Sequence, residues 1–93
     1  CEVVDKCTEA VVETARANGY SAIVIADHGN ADFMINQDGS PNTAHTTNLV
    51  PCIFVEDDFD GEMKDGKLGD IAPTVLKIVG IDQPEEMNGV SLF

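Results

Sequence analysis

Residues 23–32 read Ile-Val-Ile-Ala-Asp-His-Gly-Asn-Ala-Asp, IVIADHGNAD. Four apolar residues without polar alternation are the pattern of a strand covered on both faces, as in the parallel sheets of α/β proteins. The run then stops on an acid, an imidazole and a glycine. That stop is the carboxyl end of the strand, where open α/β sheets collect their ligands. Gly29 is expected to relax the steric bar that sends adjacent side chains to opposite faces, so that Asp27 and His28 look into one site.

Working outward, Val3, Val4, Cys7, Val11 and Ala15 fall three or four apart and predict a helix over Glu2–Ala17, stopped by Asn18-Gly19. This helix would cover one face of a strand spanning Ser21–Ala26. A second apolar run, Leu49–Val55 (LVPCIFV), reads as a strand, with Pro51 near its start marking an edge or a bulge. Residues 27–48 between them are rich in Gly, Asn, Asp, Ser, Pro and Thr and predict a long loop, with one helical turn around Ala31–Ile35. So long an irregular connection asks for a functional reason. Glu56–Gly69 is an acidic, glycine-punctuated turn region. Asp70 is expected to cap a helix that carries Pro73 in its first turn, buries Ala72, Val75, Leu76 and Val79, and ends at Gly80. The tail from Ile81 to Phe93 is apolar enough to dock on a core.

The order helix, parallel strand, long loop, strand, acidic turn region, helix is part of an α/β domain. Two strands do not make an independently stable sheet, so the sheet is expected to be incomplete. The chain opens at Cys1 without a methionine or a capping residue, inside what reads as a helix. It is therefore expected to be the carboxyl-terminal segment of a longer domain, residues 1–93 being one folding unit with its upstream part missing. At 93 residues a self-contained chain buries only roughly 60% of its unfolded surface, so an absent partner would be felt.

Seventeen acidic residues against five basic ones give a net charge of −12, which repels phosphate backbones and anionic membranes. Nucleic-acid and membrane partners are therefore excluded, and most of the carboxylates are expected to be solvated surface charges. Three cysteines, Cys1, Cys7 and Cys52, form no CxxC pair and are odd in number, which speaks for a reducing, cytoplasmic setting. Cys7 and Cys52 are expected to be small buried hydrophobes. No signal peptide is visible, and no apolar run is long enough to span a bilayer.

The second histidine, His45, stands at the far end of the long loop, so both imidazoles of the chain border one place. A carboxylate with two neutral imidazoles suits borderline divalent ions such as manganese, zinc or cobalt rather than calcium. Spacing by itself leaves two roles open for these residues, metal binding and structural capping or hydrogen bonding. Glu56, Asp58, Asp60 and Gly61 imitate half of an EF-hand, but its twelfth position would be Lys67, a cation in place of the bidentate glutamate. Ser21, Ser40 and Ser91 lack a GxSxG context, and no phosphate-cradling glycine loop is present, so no catalytic nucleophile is assigned.

ADHGNAD at 26–32, AHTTNLVP at 44–51 and DIAPTVLKIVGIDQPEEMNGVSL at 70–92 together resemble the carboxyl-terminal portion of the cofactor-independent phosphoglycerate mutases of the alkaline phosphatase superfamily. The resemblance implies a partial alkaline-phosphatase-like domain holding two divalent cations. Manganese comes first, with magnesium, cobalt or zinc as alternatives, and no 2,3-bisphosphoglycerate is needed. By the same resemblance Asp27 and His28 match the pair that binds one ion, and His45 the residue that binds the other. The remaining ligands, the serine nucleophile and most substrate-binding residues are implied to lie upstream. Asp32 stands where many members carry Glu, and is not among the carried-over ligands. The DIAPT helix recurs in sulfatases and other members, and so speaks for fold more than for substrate.

The implied reaction of the full-length parent interconverts 3-phosphoglycerate and 2-phosphoglycerate through a phosphoserine, in glycolysis and gluconeogenesis. The 93-residue chain alone is expected to be inactive and to self-associate through an exposed sheet edge. The alternatives are a phosphopentomutase, phosphatase or sulfatase relative, or a small acidic metal-binding module. Asn30-Ala31-Asp32 after Gly29 and Thr47-Asn48-Leu49-Val50-Pro51 after Thr46 favour the glycerate enzymes over phosphopentomutases.

Overall fold

The computed structural model describes all 93 residues, which form two compact units, residues 1–59 and residues 60–93. The first unit opens with helix α1, Glu2–Ala17, with the predicted bounds. Glu2 and Asp5 in its first turn and Arg16 in its last complement the helix dipole. Asn18 follows the last turn, and Gly19 takes the left-handed conformation (φ 75°) that ends the helix at no Cβ cost.

The sheet has two strands, β1 at Ala22–Ile25 and β2 at Cys52–Val55, each shorter than the apolar run that predicts it. They pair antiparallel, with Ala22 opposite Val55 and Ile25 opposite Cys52, so the parallel reading of β1 is corrected. A parallel partner requires a crossover that carries the chain back along the sheet, usually on a helix. The connection 26–51 contains no helix and stays at one end of the sheet. The end of β1 thus lies beside the start of β2.

Beyond the strands, Gly29 and Thr46 form an isolated antiparallel bridge, with the Thr46 N–H donating to the Gly29 carbonyl at 2.8 Å. Between this bridge and the Ile25–Cys52 pair, residues 26–28 face residues 47–51. The unequal lengths open the ladder, and Pro51, which has no N–H to give it, lies just outside β2. The helical turn expected at Ala31–Ile35 is a single reverse turn, closed by the Phe33 N–H on the Asn30 carbonyl at 3.2 Å. Next to it residues 34–42 fold into a small hairpin through the Ile35–Pro41 bridge.

α1 does not seal the face of β1. An open apolar groove of about 480 Å³ runs between them, lined by Val3, Val4, Val11 and Ile23 among others, and no residue of α1 is buried. The two cysteines read as buried are not: Cys7 is exposed on the groove, and Cys52 is half-buried at the start of β2. With none of its residues buried, the apolar stripe of α1 is an uncovered face.

The second unit holds two buried apolar side chains, Leu92 and Pro73. A 3-10 helix at Leu68–Asp70 leads into α2 at Ile71–Val79, which Gly80 ends in the left-handed region (φ 73°). Contrary to the expectation from sequence, Asp70 does not cap α2 with its side chain. Its buried carboxylate instead reaches back to the Lys67 N–H at 3.0 Å and forward to the Val90 N–H at 2.9 Å, with the Lys67 ammonium at 2.7 Å. These donors hold its carboxyl at about 2, first through the Lys67 ammonium, well below the usual 3.8. Thr74, fully buried, donates to the Asp70 carbonyl at 2.6 Å and accepts the Leu92 N–H at 3.0 Å. The tail is therefore pinned to α2 by polar bonds around Leu92. Val90, read as part of a docked apolar tail, is itself exposed.

Candidate metal centre

The antiparallel register brings the end of β1 and the segment before β2 to one place, and with them the three residues singled out from sequence. The imidazoles of His28 and His45 stack with centroids 3.6 Å apart and planes 16° from parallel. Asp27 Oδ1 lies 3.5 Å from His28 Nε2. His28 Nδ1 is 3.1 Å from its neighbour's carbonyl, Gly29 O. A proton on Nδ1 is taken up by that bond, which leaves the Nε2 lone pair facing the side of Asp27.

Two ligand atoms at 2.0–2.1 Å from one tetrahedral ion stand about 3.3 Å apart. The Asp27–His28 separation is close to that value, so the pair fits two positions on a single ion. His45 does not fit a third. Its lone pairs lie in a plane stacked above that of His28, and an ion in the plane of one ring is out of the plane of the other. No group of three His, Cys, Asp or Glu side chains in the chain is placed to hold one ion together. The arrangement is thus a pair of donors plus a separate imidazole.

The segment that carries His45 is anchored by residues that sequence reasoning passed over. Asp32 accepts from Thr46 Oγ1 on both oxygens, at 3.0 and 2.9 Å, and from Asn48 Nδ2. Asn48 and Thr46 together hold the Asp32 carboxyl below the usual carboxylate range. Asn30 Nδ2 adds a bond to the Ala44 carbonyl at 3.3 Å. A signal for this was present in the sequence: Thr46 and Asn48 are two apart, so in extended backbone they point to one side. What they would meet there was not readable without the fold.

Gly29 serves differently from the expectation. Its φ is not in the left-handed region, and the glycine is required by space: a Cβ would collide with Thr46 Oγ1 and stand 2.7 Å from Asp32 Oδ1. The backbone of the β1 end can approach the 45–48 segment only because that side chain is missing.

The acidic region is more than solvated charge. Asp57 Oδ1 accepts from Arg16 Nη2 at 2.5 Å and Nε at 3.0 Å, and Glu56 accepts from Ser21 Oγ at 2.5 Å. These bonds tie the end of β2 to the end of α1 and to the start of β1, away from the histidines. No helix is long and apolar enough to cross a membrane.

The chain is 58% identical over 89 residues, 96% of its length, to the 2,3-bisphosphoglycerate-independent phosphoglycerate mutase of Salinibacter ruber. It is 56% identical over its whole length to the enzyme of that name from Flavobacterium johnsoniae, and 54% identical over 97% of its length to that of Bacteroides thetaiotaomicron. It spans 17–18% of the length of these relatives. The model of one family, the Metalloenzyme superfamily, matches residues 1–83. By that match over most of its 93 residues, the chain belongs to the Metalloenzyme superfamily.

Proposed function

We propose that this chain is one wall of the active site of a metal-dependent phosphoglycerate mutase, which interconverts 3-phosphoglycerate and 2-phosphoglycerate without 2,3-bisphosphoglycerate. The observation that carries this reading is the 54–58% identity to relatives of that name, running through 96% or more of the chain. The geometry supports it with a carboxylate–imidazole pair and a separate imidazole at one strand end.

In this reading Asp27 and His28 hold one divalent cation and His45 helps to hold a second, with manganese the preferred metal. When bound there, the two cations would supply charge neutralisation of the phosphoryl group and a lowered pKa for the attacking hydroxyl. The chain's own residues do the positioning. His28 Nδ1 bonds Gly29 O, which sets the tautomer that presents Nε2, and the stacked His45 ring fixes the distance between the two donor sets. The nucleophile and the remaining ligands belong to other residues of the parent enzyme, and its setting is cytoplasmic, in glycolysis and gluconeogenesis. The 93 residues alone turn over no phosphoglycerate. The outer edges of the two-stranded sheet are where the isolated chain would self-associate, which sedimentation reads.

The test is made on the full-length protein that carries this sequence. Chelation with EDTA is expected to abolish mutase activity, manganese to restore it, and added 2,3-bisphosphoglycerate to change nothing. A strict need for that bisphosphate, or full activity after chelation, would sink the proposal. Release of inorganic phosphate in place of isomerisation would favour a phosphatase relative.

A further inference from the structure

We propose that Asp32 is a positioning residue, which holds the His45 imidazole on that of His28 by pinning Thr46 and Asn48 to the Gly29 turn. The functional meaning of that role rests on the reading of Asp27, His28 and His45 as metal-facing residues.

His45 is itself exposed and has no backbone ladder of its own, since β2 begins only at Cys52. Hydrogen bonds fix the chain around it. The Thr46 N–H donates to Gly29 O at 2.8 Å, the Asn30 amide reaches the Ala44 carbonyl, and the Asp32 carboxylate gathers Thr46 Oγ1 and Asn48 Nδ2. Asp32 is the one residue that binds two side chains on the His45 side, at the positions one and three beyond the histidine. Its Oδ1 would stand 2.7 Å from a Gly29 Cβ that also collides with Thr46 Oγ1, so carboxylate, threonine hydroxyl and glycine backbone share one close contact. An exposed imidazole whose neighbours were free would lose its stack to side-chain and backbone motion. With them pinned, the ring is held over a partner 3.6 Å away. Partners that orient ligands in this way change metal affinity about 10- to 100-fold when removed.

The experiment compares the metal-free full-length protein that carries this sequence, isotopically labelled at histidine, with its Asp32→Ala and Asp32→Glu variants and the double variant Thr46→Val/Asn48→Ala. Side-chain NMR of the two histidines reads the stack as a mutual upfield ring-current displacement, and the cross-strand amide contacts of β1 and β2 report whether the sheet persists. Asp32→Ala and the double variant are each expected to lose the displacement while the strand contacts stay. Asp32→Glu, which keeps both oxygens, is expected to retain it. Adding Asp32→Ala to the double variant should change nothing further, because the carboxylate acts through those two side chains.

Histidine signals that keep their displacement in Asp32→Ala would overturn the inference. So would loss of the strand contacts along with the stack in both Asp32→Ala and the double variant, since Asp32 would then be a general structural residue. Titration with Mn²⁺ alone is expected to show weaker binding by Asp32→Ala, by about 10- to 100-fold, and rescue by Asp32→Glu. If the wild-type chain takes up no Mn²⁺ but its stack still depends on Asp32, the metal reading fails and the positioning role stands.

Discussion

Replacing Thr74 by valine is the sharpest probe of the second unit, because the substitution keeps the shape and removes only the hydroxyl. Thr74 is fully buried, and by hydrophobicity alone valine should stabilise the position. The structure argues the reverse. Oγ1 donates to the Asp70 carbonyl at 2.6 Å and accepts the Leu92 N–H at 3.0 Å. The Asp70 carbonyl, at the start of α2, still has a helical N–H to accept after the change. The Leu92 N–H has no such substitute, and it sits on a buried apolar residue. Leaving a buried donor unsatisfied costs about 1–3 kcal/mol, which is a loss of protection of about 5- to 150-fold at that amide.

Native-state hydrogen exchange followed by NMR measures this directly. In Thr74→Val the Leu92 amide is expected to fall below the amides of α2. In Thr74→Ser, which loses a methyl at roughly 0.5–1.5 kcal/mol but keeps both bonds, all of them fall together. A Leu92 amide as protected in the valine variant as in the wild type would refute the assignment of Thr74 as the polar anchor of the tail.

Two further outcomes follow from the same geometry. The Asp70 carboxyl lies at about 2 when folded and near 3.8 when unfolded, so the unfolded chain takes up its proton first as acid is added. Its contribution to stability is complete above about pH 4 and is lost as pH falls towards 2; urea midpoints through that window should decline in the wild type and decline less steeply in Asp70→Asn, where the lowered Asp32 and Asp38 carboxyls still titrate. Gly29→Ala places a Cβ against Thr46 Oγ1 and Asp32 Oδ1, and should cost about 1–3 kcal/mol in a denaturant titration and disturb the histidine stack. An alanine variant that keeps wild-type stability and ring shifts would show that the close approach at Gly29 is not needed.

Much of the local structure was legible. The i, i+3, i+4 stripe and the Asn18-Gly19 stop gave α1 its bounds because helix periodicity and left-handed stops are properties of neighbouring residues. The same holds for α2 and Gly80. Asp70 shows where that reading ends: an acid before a helix is a sound capping signal, but the carboxylate found stronger donors at Lys67 and Val90, the latter twenty residues away. The cysteines fail for a related reason, since apolar neighbours mark a stripe and do not supply what covers it.

The candidate site divides along the same line. That Asp27 and His28 end a strand, and that His45 stands before the next, was written in residue types and order. Strand direction was not, because an unbroken apolar run fits a strand with either kind of partner. Direction depends on where the chain returns, and the helix-free return from Ala26 to Pro51 turned β2 antiparallel and set His45 against His28. Asp32, Thr46 and Asn48 became a single network for the same reason: hydrogen bonds between segments fourteen and sixteen residues apart exist only once the backbone has brought them together.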